Sequence, residues 1–110
     1  VPAAPPARDL RLAGEQGIDA AVAQHRLDAL LFPGGSGAEL AAIPGYPSVI
    51  VPFGLVPNAP RNAFPPGFDA QPSPFGVSFT GRACSEPRLI ALAYAFELAT
   101  KRRVPPPAMP

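Results

Sequence analysis

A chain of 110 residues has the length of one modest domain, and folding buries only roughly two thirds of the surface that such a chain exposes when unfolded. Its 18 prolines and 10 glycines punctuate the backbone densely, yet 47% hydrophobic residues against 15% charged ones is the wrong balance for a chain that stays disordered. A net charge of +1, with the basic residues scattered except for Lys101, Arg102 and Arg103, supplies no field able to gather phosphates, so nucleic acid is excluded as an expected partner.

The single cysteine, Cys84, cannot close a disulfide within the chain. With His25 as the only histidine, a tetrahedral metal cage would need several carboxylates as well. No metal and no other cofactor is expected, and a reducing, cytoplasmic compartment fits best. Each apolar run is interrupted by Pro, Gly or a charge well before the roughly 18 residues that span a bilayer, so no membrane partner is expected. Residues Val1 to Ala7 lack the basic start and apolar stretch of a secretion signal, and a start at Val1 points to a processed or partial product.

In chain order, the Pro and Ala residues at the start favour extended, solvated backbone, and residues 1–9 read as a linker. Between Asp9 and Arg26, the positions Ile18, Ala21, Val22 and His25 recur with helical spacing, and Asp19 lies near the positive end of the dipole. Gly14 and Gly17 are expected to separate a short first turn from this helix. Leu27 to Phe32, closed by Pro33, Gly34 and Gly35, reads as a strand buried on both faces. Gly37 to Ile43 is long enough for about two helical turns, ended by Pro44 and Gly45. A second buried strand, Ser48 to Val51, is expected to stop between Pro47 and Pro52, since neither proline can donate a ladder hydrogen bond.

From Phe53 to Pro74 periodicity disappears, which predicts a surface loop longer than the usual limit of about 15 residues. Phe75, Val77 and Phe79 then alternate with Gly76, Ser78 and Thr80, the period of a strand with one apolar and one small or polar face. The last helix has Ser85 as its expected cap, Pro87 in the first turn, Lys101 to Arg103 at the negative dipole end, and Pro105 to Pro107 beyond it. Leu89, Leu92, Ala93, Phe96 and Thr100 form its core stripe. Ile90, Tyr94 and Leu98 lie off that stripe, and leaving each in water forgoes roughly 1.5 to 3 kcal/mol.

A helix apolar all round is normally covered on every side. Three short strands and one other helix cannot cover this one, so the chain is expected either to be part of a larger fold or to assemble with copies of itself or a partner.

Several ordered motifs carry a resemblance. Leu27-Asp28-Ala29-Leu30-Leu31-Phe32-Pro33, then Ala42-Ile43-Pro44-Gly45-Tyr46-Pro47-Ser48-Val49-Ile50-Val51-Pro52, resembles the C-terminal part of amidase signature enzymes. Phe64-Pro65-Pro66-Gly67-Phe68, Pro74-Phe75-Gly76-Val77-Ser78-Phe79-Thr80-Gly81-Arg82 and Ser85-Glu86-Pro87-Arg88-Leu89 through Glu97 are similar to that family's last strand and final helix, in the same order. The likeness runs from about Gly17 to Val104. It implies an α/β fold in which this chain contributes a partial mixed sheet of about three strands with flanking helices, residues 10–104 forming the C-terminal segment and 105–110 a Pro-rich tail.

The resemblance further implies hydrolysis of a small-molecule amide by a Ser, cis-Ser, Lys triad, in which an activated serine attacks the carbonyl. Those residues belong upstream of the matching region. The chain has no Gly-Gly-Ser-Ser-Gly-Gly signature, and its one lysine is Lys101, so no catalytic residue is assigned and the chain alone is expected to be inactive without the N-terminal part of the fold. The alternative is a non-enzymatic module that associates with itself or docks on a partner chain. Where the family usually has a glycine ending the helix before the first strand, this chain has Arg26, and a left-handed cap there would cost about 1 kcal/mol.

Gly34, Gly35 and Ser36 are the candidate substrate-binding residues. Loops at strand C-termini commonly form sites in α/β folds, and in the family this loop comes near the substrate pocket; a plain loop-packing role is the alternative. Ser36 is not a nucleophile-elbow serine, because Ala38 replaces the last glycine and no histidine follows. His25 and Cys84 have bland readings as a helix-end residue and a small residue before a helix cap. Asp28 reads as a helix-to-strand junction contact and Asp69 as a turn former.

Overall fold

The computed structural model describes residues 5–59 and 62–105. The elements run α1 (Ala7–Leu10), a π-helical stretch (Arg11–Ile18), α2 (Asp19–His25), β1 (Leu30–Pro33), α3 (Ala38–Ala42), β2 (Ser48–Val56), β3 (Ser73–Thr80) and α4 (Glu86–Thr100). Residues 1–4 of the expected linker and 106–110 of the expected tail lie outside the described residues, and helix already begins at Ala7, within the stretch read as linker.

The first helix does not break at its glycines. The backbone stays helical from Ala7 to His25 and widens to π geometry across Gly14 and Gly17. A Cβ on Gly17 would sit 2.6 Å from the Leu12 carbonyl oxygen, five residues earlier, so the missing side chain is what admits the wider turn. Gly14 is buried, and a Cβ there would lie 3.1 Å from Pro44 Cβ and 3.2 Å from the Tyr46 hydroxyl. Tyr46 uses that space to donate a 2.7 Å hydrogen bond to Asp19 Oδ2. Chiefly because of that bond, and then through burial, the phenol is raised above its ordinary value of 10. Arg82 completes the junction, with Nε 3.7 Å from Asp19 Oδ1 and a guanidinium N–H donating to the Asp19 carbonyl.

The helix ends as the sequence warned. Arg26 sits at φ 51°, ψ 51°, with its N–H donating to Ala23 O and the Leu27 N–H to Val22 O, the paired bonds of a Schellman motif. An arginine pays a Cβ clash in that conformation that a glycine avoids. Arg26→Gly is therefore expected to stabilise by about 1 kcal/mol, read as a raised urea midpoint with an unchanged m-value.

The sheet order is β1-β3-β2, and both pairings are antiparallel. The mixed α/β class holds, while β1 and β2, parallel to each other, flank the central β3 and leave their outer edges unpaired among the described residues. β1 is shorter and later than expected, because Leu27 closes the helix cap instead of entering the ladder. β2 is longer than expected: it passes Pro52 and continues to Val56, with a register irregularity between Pro52 and Gly54. Proline is tolerated there because a bulge on an edge strand asks for no inward N–H.

Paired residues share a face. Val51 and Val77 pack on Ala93 of α4, with Val49, Phe75, Phe79 and Phe96 around them, and Phe79 meets Phe96 edge to face at 5.9 Å. A second cluster joins Ile18 and Val22 to Ala41 of α3, with Leu30 and Tyr46 beside it. The polar side of β3 is not solvated: Ser78 and Thr80 are buried, and Thr80 shares a 2.7 Å hydrogen bond with Ser48 across the β2 pairing.

Neither β1 nor β2 is covered on both faces. Leu31 is 60% exposed and Ile50 59%, and on α4 Ile90, Tyr94 and Leu98 are 59%, 62% and 55% exposed. The accessible surface is 8091 Å², against about 5,800 Å² for a self-contained monomer of this size. The Cα radius of gyration is 17.2 Å, where a closed domain of this length has about 13 Å. The chain does not enclose its own apolar surface.

At its start α4 departs from expectation in one detail. The Ser85 side chain caps no helix amide; its hydroxyl donates back to the Arg82 carbonyl at 2.6 Å. Lys101 forms a left-handed terminus at φ 49°, so Arg102 and Arg103 lie past the last turn. Arg103 pairs with Glu97 at 3.5 Å, and the Arg102 guanidinium lies 5.3 Å over the Phe53 ring.

Candidate functional site

The β1–α3 turn carries all three predicted site residues. Pro33 ends β1, and Gly34 then takes φ 56°, a conformation that turns the chain sharply and that glycine adopts without a Cβ penalty. Its N–H donates to Gly76 O at 2.7 Å, and its carbonyl accepts from the Ser78 hydroxyl. Both partners are on the central strand. Gly35 and Ser36 beyond it are exposed, and a Cβ on Gly35 would meet nothing within 4 Å. Gly37 closes the turn because a Cβ there would run into the Phe32 ring.

Ser36 is not poised for attack. Its hydroxyl donates to Pro33 O at 2.8 Å and its N–H to the same oxygen at 3.2 Å, a local turn with no base in contact. His25 is exposed at the end of α2, and Asp28 spends its carboxylate on Arg88 at 2.6 Å. Asp69 accepts from Gln71 within its own loop, and Cys84 is an exposed free thiol. Among the described residues no three of His, Cys, Asp and Glu come together as metal ligands.

Sequence reading missed an open apolar cleft of about 850 Å³ between the β2 bulge, the start of β3 and the backbone after α4. Ile50, Leu55, Phe75 and Val104 supply apolar lining, and Arg102 and Arg103 stand beside them. It adjoins the predicted turn, since Gly34 bonds to the Gly76 carbonyl and a Cβ on Gly34 would lie 3.7 Å from the Phe75 ring. No local motif marks this cleft. It arises because β2 continues through Pro52, which pattern alone did not foretell.

Among the described residues, a sheet with two unpaired edges, one helix bare along a full stripe and a glycine turn tied to the central strand define an open α/β arrangement. No protein-family model matches the chain. It is 38% identical over 90 residues to a probable amidase of Arabidopsis thaliana, covering 82% of this chain and 15% of that protein. It is 36% identical over 98 residues to an amidase-named protein of Arthroderma benhamiae, covering 87% and 17%. The peptide amidase of Stenotrophomonas maltophilia superposes with a TM-score of 0.70 at 41% identity, over 90% of this chain and 20% of that one. A second structure of a peptide amidase, holding the competitive inhibitor chymostatin, gives the same TM-score at 39% identity. By sequence and by fold, the chain is similar to one part of these amidases, and it spans 15% to 20% of their length.

Proposed function

We propose that the chain is the C-terminal segment of an amidase signature hydrolase, which cleaves a carboxamide C–N bond with a Ser, cis-Ser, Lys triad carried by upstream sequence. In this reading the segment supplies three strands, the closing helix and one wall of the amide pocket, formed by Gly34, Gly35 and Ser36. The observation that carries it is the agreement between a 15% to 20% share of amidase relatives and apolar surfaces that 110 residues leave open. What is bare here is what the rest of an amidase would cover.

The division of labour follows from the side chains present. Ser36 donates its hydroxyl to Pro33 and Lys101 forms a helix terminus, so neither is arranged as nucleophile or base, and the chain alone is silent. In the intact enzyme the attacking serine, the bridging serine and the lysine come from elsewhere, and the glycine turn sets the shape of the space beside the scissile amide. Because the solved neighbours are peptide amidases, a peptide amide is the first substrate class to assay.

Reading the coding frame upstream tests the proposal directly. A Gly-Ser-Ser-Gly stretch and a lysine are expected, and unrelated upstream sequence sinks it in favour of a self-associating module. The pocket wall has its own test. Gly35 has negative φ and open space where a side chain would point, so Gly35→Val is expected to leave the unfolding midpoint unchanged while raising KM for a peptide amide by roughly tenfold, about 1.4 kcal/mol of lost binding.

A further inference from the structure

Ser78 sits on the central strand β3, paired with Phe32 of β1 and Ile50 of β2, and is 5% exposed. A hydroxyl at a buried central-strand position costs free energy unless it is hydrogen-bonded, and an aliphatic residue would ordinarily serve there. The Ser78 hydroxyl crosses to the Gly34 carbonyl, 44 residues away in sequence. Two residues earlier on the same strand, the Gly76 carbonyl takes the Gly34 N–H. Gly34 is thus clamped on both sides of its Cα to the most enclosed strand of the sheet, while Gly35 and Ser36 make only bonds within the turn.

We propose that Ser78 is a positioning residue for amide hydrolysis: through the Gly34 carbonyl it holds the exposed Gly35–Ser36 wall at a fixed distance from the substrate. The inference rests on the reading of that turn as a pocket wall. Gly34 needs positive φ to project the turn, and such a conformation persists when its surroundings over-determine it. One clamp, through the Gly76 carbonyl, is backbone and indifferent to mutation. The other is a single side chain, which makes the position of the wall sensitive to one hydroxyl. Substrate binding, more than the chemical step, feels a wall that wanders, since the reacting groups belong to another part of the enzyme.

The experiment uses the intact amidase polypeptide with Ser78→Ala, which deletes the donor, and Ser78→Cys, which keeps the shape with a weak donor. Amide hydrogen exchange at residues 34–36 is expected to quicken about tenfold in both variants, the effect of losing one net hydrogen bond. KM for a peptide amide is expected to rise several-fold, with kcat within about twofold of wild type. A merely structural serine would lower the yield of folded enzyme without splitting KM from kcat. Unchanged exchange at residues 34–36, or an unchanged KM, overturns the proposal. Gly35→Val then separates the two ideas: if it raises KM while the Ser78 variants do not, the pocket wall stands and the positioning role falls, and if neither moves KM the wall reading has failed and takes the role with it.

Discussion

Leu89→Ala is expected to destabilise the fold by about 2 to 5 kcal/mol, a large share of the 5 to 15 kcal/mol that holds a typical domain together. Leu89 lies in the first turns of α4 with no exposed surface, and its Cδ2 reaches to within 3.2 Å of the point where a Cβ on Gly81 would stand. The close approach fixes the start of α4 against the end of β3, so truncation opens a cavity that the rigid neighbours cannot collapse to fill. Ile90, one residue on, is 59% exposed in this chain. Urea unfolding of the intact polypeptide should show a lowered midpoint for Leu89→Ala with unchanged m, and a loss below about 1 kcal/mol would mean that α4 is anchored elsewhere.

Much of this architecture could be read from residue order because local chemistry and tertiary demand agree. The period-two alternation of Phe75, Val77 and Phe79 with Gly76, Ser78 and Thr80 marked β3, and Gly37 with Pro44 and Gly45 bracketed α3. The off-stripe residues Ile90, Tyr94 and Leu98 marked a helix with two apolar faces, and they are the ones left bare. Two of the failures share a cause, which is that Pro and Gly read as stops. Gly17 instead admits a π turn by letting the Leu12 carbonyl approach, and Pro52 sits on a strand whose outer edge needs no donor. The turn of Gly34 to Ser36 was legible as a strand-end loop, but its tie to Ser78 was not: a hydrogen bond spanning 44 residues depends on strand order, and β1-β3-β2 puts the first and last strands side by side only after folding. The 850 Å³ cleft was hidden for the same reason, being made by the continuation of β2 past its expected end.

Tyr94→Glu is expected to have opposite consequences in the 110-residue chain and in the intact polypeptide. In the short chain Tyr94 is 62% exposed, between Ile90 and Leu98 on successive turns, so a carboxylate there breaks up an apolar stripe and should raise solubility and reduce self-association. Under the proposed function the same stripe is covered in the longer polypeptide, and an unpaired carboxylate placed inside would cost several kcal/mol unless it takes up a proton. That is enough to unfold most domains, so soluble yield and activity should collapse together at neutral pH. Tyr94→Phe removes only the hydroxyl and should behave as wild type in both settings, which separates the loss of cover from any role of the phenol. Sizing chromatography of the two short chains and thermal unfolding of the two long ones settle the matter. Should Tyr94→Glu be tolerated in the intact polypeptide with an unchanged midpoint, this side of α4 faces solvent there too, and the bare stripe is a docking surface rather than an unfinished core.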